Sequence, residues 1–193
     1  MPAAGKGTVL ELLEELLDAR GVAHVSVSLS DELRAAVRER GLSTDRPNLR
    51  AVGHELRMTQ GHGVLAERVL ARLDAETGAT VALIDAIRTP AELQLLRRRL
   101  RDSLTLVAVV ATEDVLVRRL RSRGRSGDDE LTAEGARALL QAEMGRDEPD
   151  YGFNVAACIA LADVTIDNSG SLEDLRGALT QLADERLGAG SPR

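Results

Sequence analysis

The chain has 193 residues, a length typical of one globular domain, and a formal net charge of −6. Its one cysteine excludes an internal disulfide framework and a cysteine-based zinc site. The apolar runs are too short to cross a bilayer and the first residues lack a signal-peptide pattern, so we expect a cytoplasmic protein that does not bind membranes.

Helix and strand patterns alternate along the chain. Apolar residues at helical spacing predict helices over 8–20, 30–40, 49–60, 64–77, 90–101, 113–122, 132–144, 155–161 and 172–187. Alternating or continuous apolar runs predict strands over 22–28, 80–84, 104–110 and 163–166. This order predicts the α/β class, with a parallel sheet covered by helices on both faces. We predict a single domain over residues 1–187 and a flexible tail over 188–193.

The start of the first helix carries a pattern that fits a phosphate chain. Ala4, Gly5 and Gly7 are small enough for backbone N–H groups to curl around phosphates, and the helix end adds unpaired donors. Lys6 is the only lysine beside 24 arginines, which indicates a position that needs a compact ammonium. Lys6 would lie across the β- and γ-phosphates, and the Thr8 hydroxyl would bond a phosphate oxygen. The alternative is a glycine-rich tail without a ligand.

One part of the usual phosphate-loop pattern is missing. That pattern has a further glycine and a preceding buried strand, and both would lie before Met1. Two explanations stay open. Either Met1 is an internal methionine of a longer chain, which we expect, or the chain has lost its first strand and with it its activity. An in-frame apolar segment ending in glycine upstream of Met1 would support the first explanation.

With this loop, the chain resembles the P-loop nucleotide kinases of the adenylate kinase and dephospho-CoA kinase type. It is most similar to a dephospho-CoA kinase-like branch found in archaea, and the resemblance extends from Pro2 to about Leu182. The resemblance implies a three-layer P-loop NTPase fold, with ATP and Mg²⁺ as cofactors. It also implies an acceptor-side helical region over about 30–78 and a lid over about 119–147.

The segment Ser30–Arg34, which follows the first predicted strand, resembles the acceptor-side segment of these kinases. The resemblance implies that Asp31 orients the phosphoryl acceptor and that Arg34 binds its phosphate. The alternative is an ordinary helix that Ser30 caps, with acidic residues in its first turn and no ligand.

Asp85 and Arg88 follow the strand over 80–84, at the edge where ligands gather in open α/β sheets. A carboxylate at this edge, beside the phosphate loop, would hold Mg²⁺ through water. Arg88 resembles the arginine of the family that reaches the acceptor phosphate. The alternative is an aspartate at a strand end followed by a solvated arginine.

A group of arginines beside a glycine-rich loop resembles the lid of these kinases. Arg125 and Arg146 would close over the transferred phosphoryl group, with Arg119 and Arg121 supporting the bound nucleotide. The alternative for Arg118 and for the run over 97–101 is a basic helix surface. A nucleic-acid binder is a further alternative, which the net charge of −6 and the presence of only two aromatic residues argue against.

The segment Asp167–Ser171, just before the last helix, resembles the loop that passes near the adenine in dephospho-CoA kinases. Ser171 also has the sequence of a helix N-cap, with Asp174 at the third helical position. Cys158 lies on an apolar helix and is predicted to be a core residue.

Together these patterns predict an ATP-dependent phosphotransferase that acts on a nucleotide-like small molecule. Lys6 and the loop amides would hold the donor phosphates, Asp85 the metal, and Asp31 the acceptor. The alternative is a nucleotide-binding or scaffold protein of the same fold that has lost catalysis. Dephospho-CoA, a nucleoside monophosphate and another small alcohol all remain possible acceptors, and the sequence does not fix the oligomeric state.

Overall fold

The computed structural model of the protein describes residues 1–122, 131–145 and 152–188. The helices of these ranges are α1 (Lys6–Ala19), α2 (Leu29–Glu39), α3 (Arg46–Gln60), α4 (Val64–Ala75), α5 (Pro90–Leu100), α6 (Glu113–Arg121), α7 (Ala133–Met144), α8 (Val155–Ala160) and α9 (Leu172–Leu187). The strands are β1 (His24–Ser28), β2 (Val81–Asp85), β3 (Val107–Val110) and β4 (Val164–Asp167). The order of elements confirms the predicted α/β class.

The four strands form two parallel pairs. β1 pairs with β2, so that Ser28 at the end of one strand lies opposite Asp85 at the end of the other. β3 pairs with β4, with Val110 opposite Asp167. The sequence predicted one parallel sheet. The structure has two separate strand pairs, and no strand in the described ranges joins them. Residues 1–5 form turns and add no strand.

Each strand pair has its own hydrophobic core. We call the first the β1–β2 core; its buried residues are Val27, Leu29, Leu33, Ala36, Val37, Val52, Leu56, Val64, Leu65, Ala66, Val69, Leu70 and Leu96. We call the second the β3–β4 core; its buried residues are Ala4, Val9, Leu12, Val109, Leu116, Val117, Leu120, Ala136, Leu140, Ile166, Leu175, Leu179 and Leu182. The helices around each core are amphipathic, and their apolar stripes fill that core.

Several element boundaries differ from the predictions by a few residues, and two of the differences have a clear physical cause. Ser28, not Ser30, caps α2: its hydroxyl accepts from the Ser30 backbone N–H, because the helix already begins at the buried Leu29. The strand predicted over 104–110 is shorter, since a 3₁₀ turn over Arg101–Ser103 precedes it and pairing starts only at Val107. The capping box predicted at the start of α9 is confirmed, with Ser171 and Asp174 in the expected roles.

Contacts between distant segments link the two cores. The Asn154 backbone N–H donates to the Arg88 carbonyl at 2.8 Å, and Arg97 donates to Asp163 at 2.9 Å.

Cys158 is buried as predicted, and burial, followed by the charge of Glu92, raises the pKa of its thiol to about 11. In the described ranges, no helix is both long enough and apolar enough to span a bilayer.

Candidate active site

The turn at Gly5 leads directly into α1. Gly5 is the N-cap residue of α1 and has φ +90°, a left-handed conformation that favours glycine. A Cβ at this position would lie 2.2 Å from the Asn168 Nδ2 atom, so the turn also requires the missing side chain. The first turn of α1 holds no acidic residue, and within the described ranges no side chain caps it, a composition that suits an anion at the helix end. Thr8 is half-buried in this turn, and Ala4 is fully buried beneath it.

Asn168 fixes the phosphate loop against the end of β4. Its Nδ2 donates to the Ala4 carbonyl at 2.8 Å, and its backbone N–H donates to the Val110 carbonyl at 2.8 Å. Asn168 is buried, so these bonds are shielded from water. Sequence reasoning assigned this segment to the adenine region and missed the contact with Ala4. A polar residue just after a buried strand was the available signal.

The ammonium group of Lys6 lies beside the backbone of its own loop. Its Nζ donates to the Met1 carbonyl at 3.0 Å. Burial, followed by the nearby charges of Lys6 and Arg88, lowers the pKa of the Met1 amino group to about 5, while Glu143 and Asp85 act in the opposite direction. The charges of Lys6, Asp85, Arg88 and Glu143 therefore all act on the amino group of Met1, just before α1. The predicted site residues Lys6, Asp85 and Arg88 are all among them.

Asp85 is the last residue of β2 and is half-buried. Ala86 follows it with φ +67°, a conformation that costs a non-glycine residue about 1–3 kcal/mol. This turn ends the strand at Asp85 and directs the chain toward Arg88. Mg²⁺ is usually held by one or two carboxylates together with substrate phosphates, and Asp85 beside the phosphate loop fits that donor set.

Arg88 is held at its backbone and at its side chain. Its backbone N–H donates to Glu92 at 3.0 Å, and its carbonyl accepts from Asn154. Its guanidinium donates to Glu143 Oε2 at 2.8 Å and lies 4.9 Å from the centre of the Phe153 ring. A cation over an aromatic face is attracted to the ring, so Phe153 supports the position of Arg88.

Arg57 and Glu92 form a buried ion pair that the sequence analysis missed. Arg57 and Glu92 are 2% and 0% exposed, and Arg57 donates from Nη2 and Nε to Glu92 Oε1 at 2.9 and 3.3 Å. The other oxygen of Glu92 accepts from the backbone N–H groups of Arg88 and Thr89. Among the described residues the Nη1 of Arg57 has no hydrogen-bond partner, and its guanidinium carbon lies 5.4 Å from the Phe153 ring centre. The Thr89-x-x-Glu92 spacing of a capping box was a signal for Glu92.

The arginines of the predicted lid lie in different surroundings. Arg119 reaches the phosphate loop: its Nη1 lies 3.9 Å from the position of a Cβ on Gly5. This atom is buried and has no hydrogen-bond partner in the described part of the chain. Arg121 instead donates to the Leu131 carbonyl at 3.1 Å. Arg125 and Arg146 lie outside the described residues.

Asp31 and Arg34 contact each other on the first turns of α2. The Arg34 Nη1 and Asp31 Oδ1 atoms are 2.7 Å apart, and both side chains are largely exposed. Within the described ranges, no hydrogen bond or ion pair joins them to the charges around Lys6. Their predicted roles toward an acceptor stay predictions.

Comparisons with known proteins relate the whole chain to one family. A family model described as an AAA domain matches residues 1–135. A UPF0200 protein of Methanoculleus marisnigri is 34% identical over 94% of this chain and 91% of its own length. UPF0200 proteins of Methanoregula boonei and Methanosarcina mazei are 32% and 30% identical, covering 94% and 91% of this chain and 91% and 86% of their own lengths.

A solved structure of shikimate kinase from Acinetobacter baumannii in complex with shikimate is also similar, with 18% identity and a TM-score of 0.48. The similarity covers 99% of this chain and 92% of that one.

The family match covers well over half of the chain, and the relatives are matched over nearly their full lengths. The chain therefore belongs to the AAA domain family and to the same family as the UPF0200 proteins.

Proposed function

We propose that the protein is an ATP- and Mg²⁺-dependent phosphotransferase that moves the γ-phosphoryl group of ATP to a nucleotide-like small molecule. The observation that supports this proposal is that Lys6 follows the left-handed turn at Gly5 and that its charge acts on the amino group of Met1 together with the charges of Asp85 and Arg88. Phosphoryl transfer needs a cation at the donor, a carboxylate that holds a metal and a cation at the acceptor. Dephospho-CoA is the first acceptor to test, on the resemblance noted above.

The donor side of the site consists of the phosphate loop and its neighbours. The N–H groups of the first turn of α1 and the Lys6 ammonium would hold the β- and γ-phosphates. Asn168 keeps the loop in place through the Ala4 carbonyl. The unpartnered Nη1 of Arg119, close to Gly5, is available to a further phosphate oxygen. Such preorganised donors lower the barrier by stabilising charge that develops in the transition state.

Asp85 would hold the metal and Arg88 the anionic end of the acceptor. Mg²⁺ held there would neutralise negative charge on the phosphates. Arg88 is fixed by Glu92 and Phe153, so its guanidinium presents a defined direction to an incoming anion. Asp31 and Arg34 would complete the acceptor side, and Arg125 and Arg146 would close the site against water.

The test is an ADP-release assay with ATP, Mg²⁺ and a panel of acceptors: dephospho-CoA, nucleoside monophosphates and simple alcohols. We expect acceptor-dependent release of ADP, and we expect Lys6→Ala to lower turnover by about 10²-fold or more, because it removes a charge that stabilises the transition state. Arg99→Ala is the matched control: Arg99 forms an exposed ion pair with Asp74 at 2.6 Å, and its loss should leave turnover unchanged. Wild-type turnover by the Lys6 variant would contradict the mechanism.

A protein that binds a nucleotide without turnover is the second candidate. The contact between the Lys6 Nζ and the Met1 carbonyl favours it, because the ammonium is engaged by its own loop. Calorimetric titration with ATP, run beside the ADP-release assay, separates the two candidates. Binding without acceptor-dependent ADP release would support the second and reject the first.

A further inference from the structure

Glu143 makes a contact that the proposed transfer reaction does not use. Its carboxylate accepts from the Arg88 guanidinium at 2.8 Å, although the two residues are 55 positions apart in the sequence. The exposed fractions of the two side chains are 30% for Arg88 and 24% for Glu143. A partly exposed pair of this kind can be reached by an anion from solution. Arg88 and Glu143 therefore form an ion pair that a ligand can compete for.

The two partners are held very differently. Arg88 is fixed at its backbone N–H by Glu92, at its carbonyl by Asn154 and at its guanidinium by the Phe153 ring. Glu143 lies in the last turn of α7, next to the helix end at Gly145. When the ion pair breaks, Arg88 keeps its position, whereas the Glu143 side chain can turn away. Preorganisation of this kind favours binding of a new anion to Arg88.

The charges near Met1 balance while Glu143 is in place, so departure of Glu143 would leave net positive charge for an anion. Lys6 and Arg88 are the cations near Met1, and Asp85 and Glu143 are the carboxylates. A carboxylate that accepts from a guanidinium has the geometry that a phosphate oxygen would adopt in the same place. The Glu143 carboxylate thus stands where the anionic group of an acceptor would bind.

We propose that Glu143 is an internal competitor for the anionic group of the acceptor. It occupies Arg88 in the unliganded protein, and a phosphate group on the acceptor displaces it. This inference rests on the proposed acceptor-side role of Arg88. It narrows the substrate class, because a simple alcohol lacks the charge needed to displace Glu143, whereas a phosphorylated acceptor carries it.

The experiment measures the affinity for inorganic phosphate by calorimetry in the full chain. Four proteins form a double-mutant cycle: wild type, Glu143→Gln, Arg88→Gln and the double variant. We expect Glu143→Gln to bind phosphate about twofold to fivefold more tightly, the range of a partly exposed ion pair. The gain should vanish in the Arg88→Gln background. Phosphate that binds at Lys6 is a separate equilibrium, which the two Arg88→Gln proteins measure by itself, and the cycle is calculated for the site that requires Arg88.

Two further variants test whether the effect comes from the Glu143–Arg88 contact or only from a change in the net charge of the protein. Glu143→Asp keeps the charge but shortens the side chain, and we expect it also to tighten phosphate binding. Glu113→Gln is the matched control: Glu113 pairs with Arg137 of α7 at 2.8 Å, and removing its charge should leave the affinity unchanged. Circular dichroism spectra check that each variant is folded.

The outcomes are distinct. An unchanged or weaker affinity of Glu143→Gln, or an equal gain in the Arg88→Gln background, would overturn the competitor role. If the cycle behaves as expected but no acceptor supports ADP release, the proposed transfer reaction fails and the anion subsite stands. If transfer is measured and the cycle shows no coupling, the competitor role alone fails.

Discussion

At Gly5, both the left-handed backbone conformation and the nearby Asn168 side chain disfavour any residue with a Cβ. We expect Gly5→Ala to destabilise the protein, because φ +90° is strained for alanine and because the added Cβ meets Asn168 at 2.2 Å. The expected loss is about 1–3 kcal/mol in urea unfolding, with weaker ATP binding in calorimetry. The control is Gly7→Ala, since a Cβ on Gly7 meets nothing within 4 Å and alanine favours the helix. An equal loss of stability in both variants would show that the turn at Gly5 is not restrictive.

At the scale of residues, the sequence identified the side chains that lie at strand ends and in the phosphate loop. Lys6, Asp85 and Arg88 were predicted because short motifs place them at one edge of the sheet. Glu143 and Arg57 were not predicted, because their partners lie 55 and 35 positions away in the sequence. Spacing along one helix or strand carries no signal for such pairs. Only the folded chain brings α7 to the loop after β2 and α3 to the start of α5.

At the scale of elements, the buried pair of Arg57 and Glu92 joins α3 to the start of α5. We expect Arg57→Leu to lower the free energy of unfolding by about 3–5 kcal/mol, because it leaves the Glu92 charge buried without its partner. We expect the same variant to weaken phosphate binding at Arg88, whose backbone N–H is held by Glu92. Urea unfolding and the calorimetric titration measure the two effects.

Arg99→Leu serves as the control for Arg57→Leu. Arg99 and Asp74 form an exposed pair, so the change in stability should stay below about 1 kcal/mol. Equal effects of the two substitutions would mean that burial does not determine the contribution of the Arg57 pair.

The boundaries of elements were predictable where a helix has a clear apolar stripe and a capping residue. The last helix matches its predicted range, since Ser171 and Asp174 form a capping box and leucines fill one face. α2 begins earlier than predicted, because Leu29 is buried in the β1–β2 core and the strand passes directly into the helix. A serine at either of two nearby positions gives the same local signal, so only tertiary burial decides which one caps the helix.

At the scale of the whole molecule, substitutions in the two cores can show whether residues 1–187 unfold as the predicted single domain. Leu56 is buried in the β1–β2 core and Leu179 in the β3–β4 core. Each substitution to alanine should cost about 2–5 kcal/mol through lost burial and a cavity. If residues 1–187 unfold as one unit, both variants lower the midpoint of a single transition in circular dichroism. Exposure of the Cys158 thiol should follow the same midpoint. Two separate transitions in either variant would reject a single cooperative domain.

The pairing of strands is where the sequence was least informative about the whole molecule. The four strands were found near their predicted positions, but the sequence does not say which edges are joined. Pairing in a parallel sheet depends on segments far apart in the chain, such as β3 and β4, whose pairing residues Val107 and Val164 have no local link. The α/β class therefore followed from element order alone, whereas the division into two pairs did not.

The solitary lysine gives the chain an unusual chemical selectivity. Because every other basic side chain except the histidines is an arginine, reagents that acylate amines have one side-chain target, Lys6, besides the amino terminus. That target lies at the start of α1, where a nucleotide would shield it. The extent of acylation at the Nζ atom of Lys6, separated from that at the amino terminus by fragment-ion mass spectrometry, thus reports on occupancy of the phosphate loop without any engineered label.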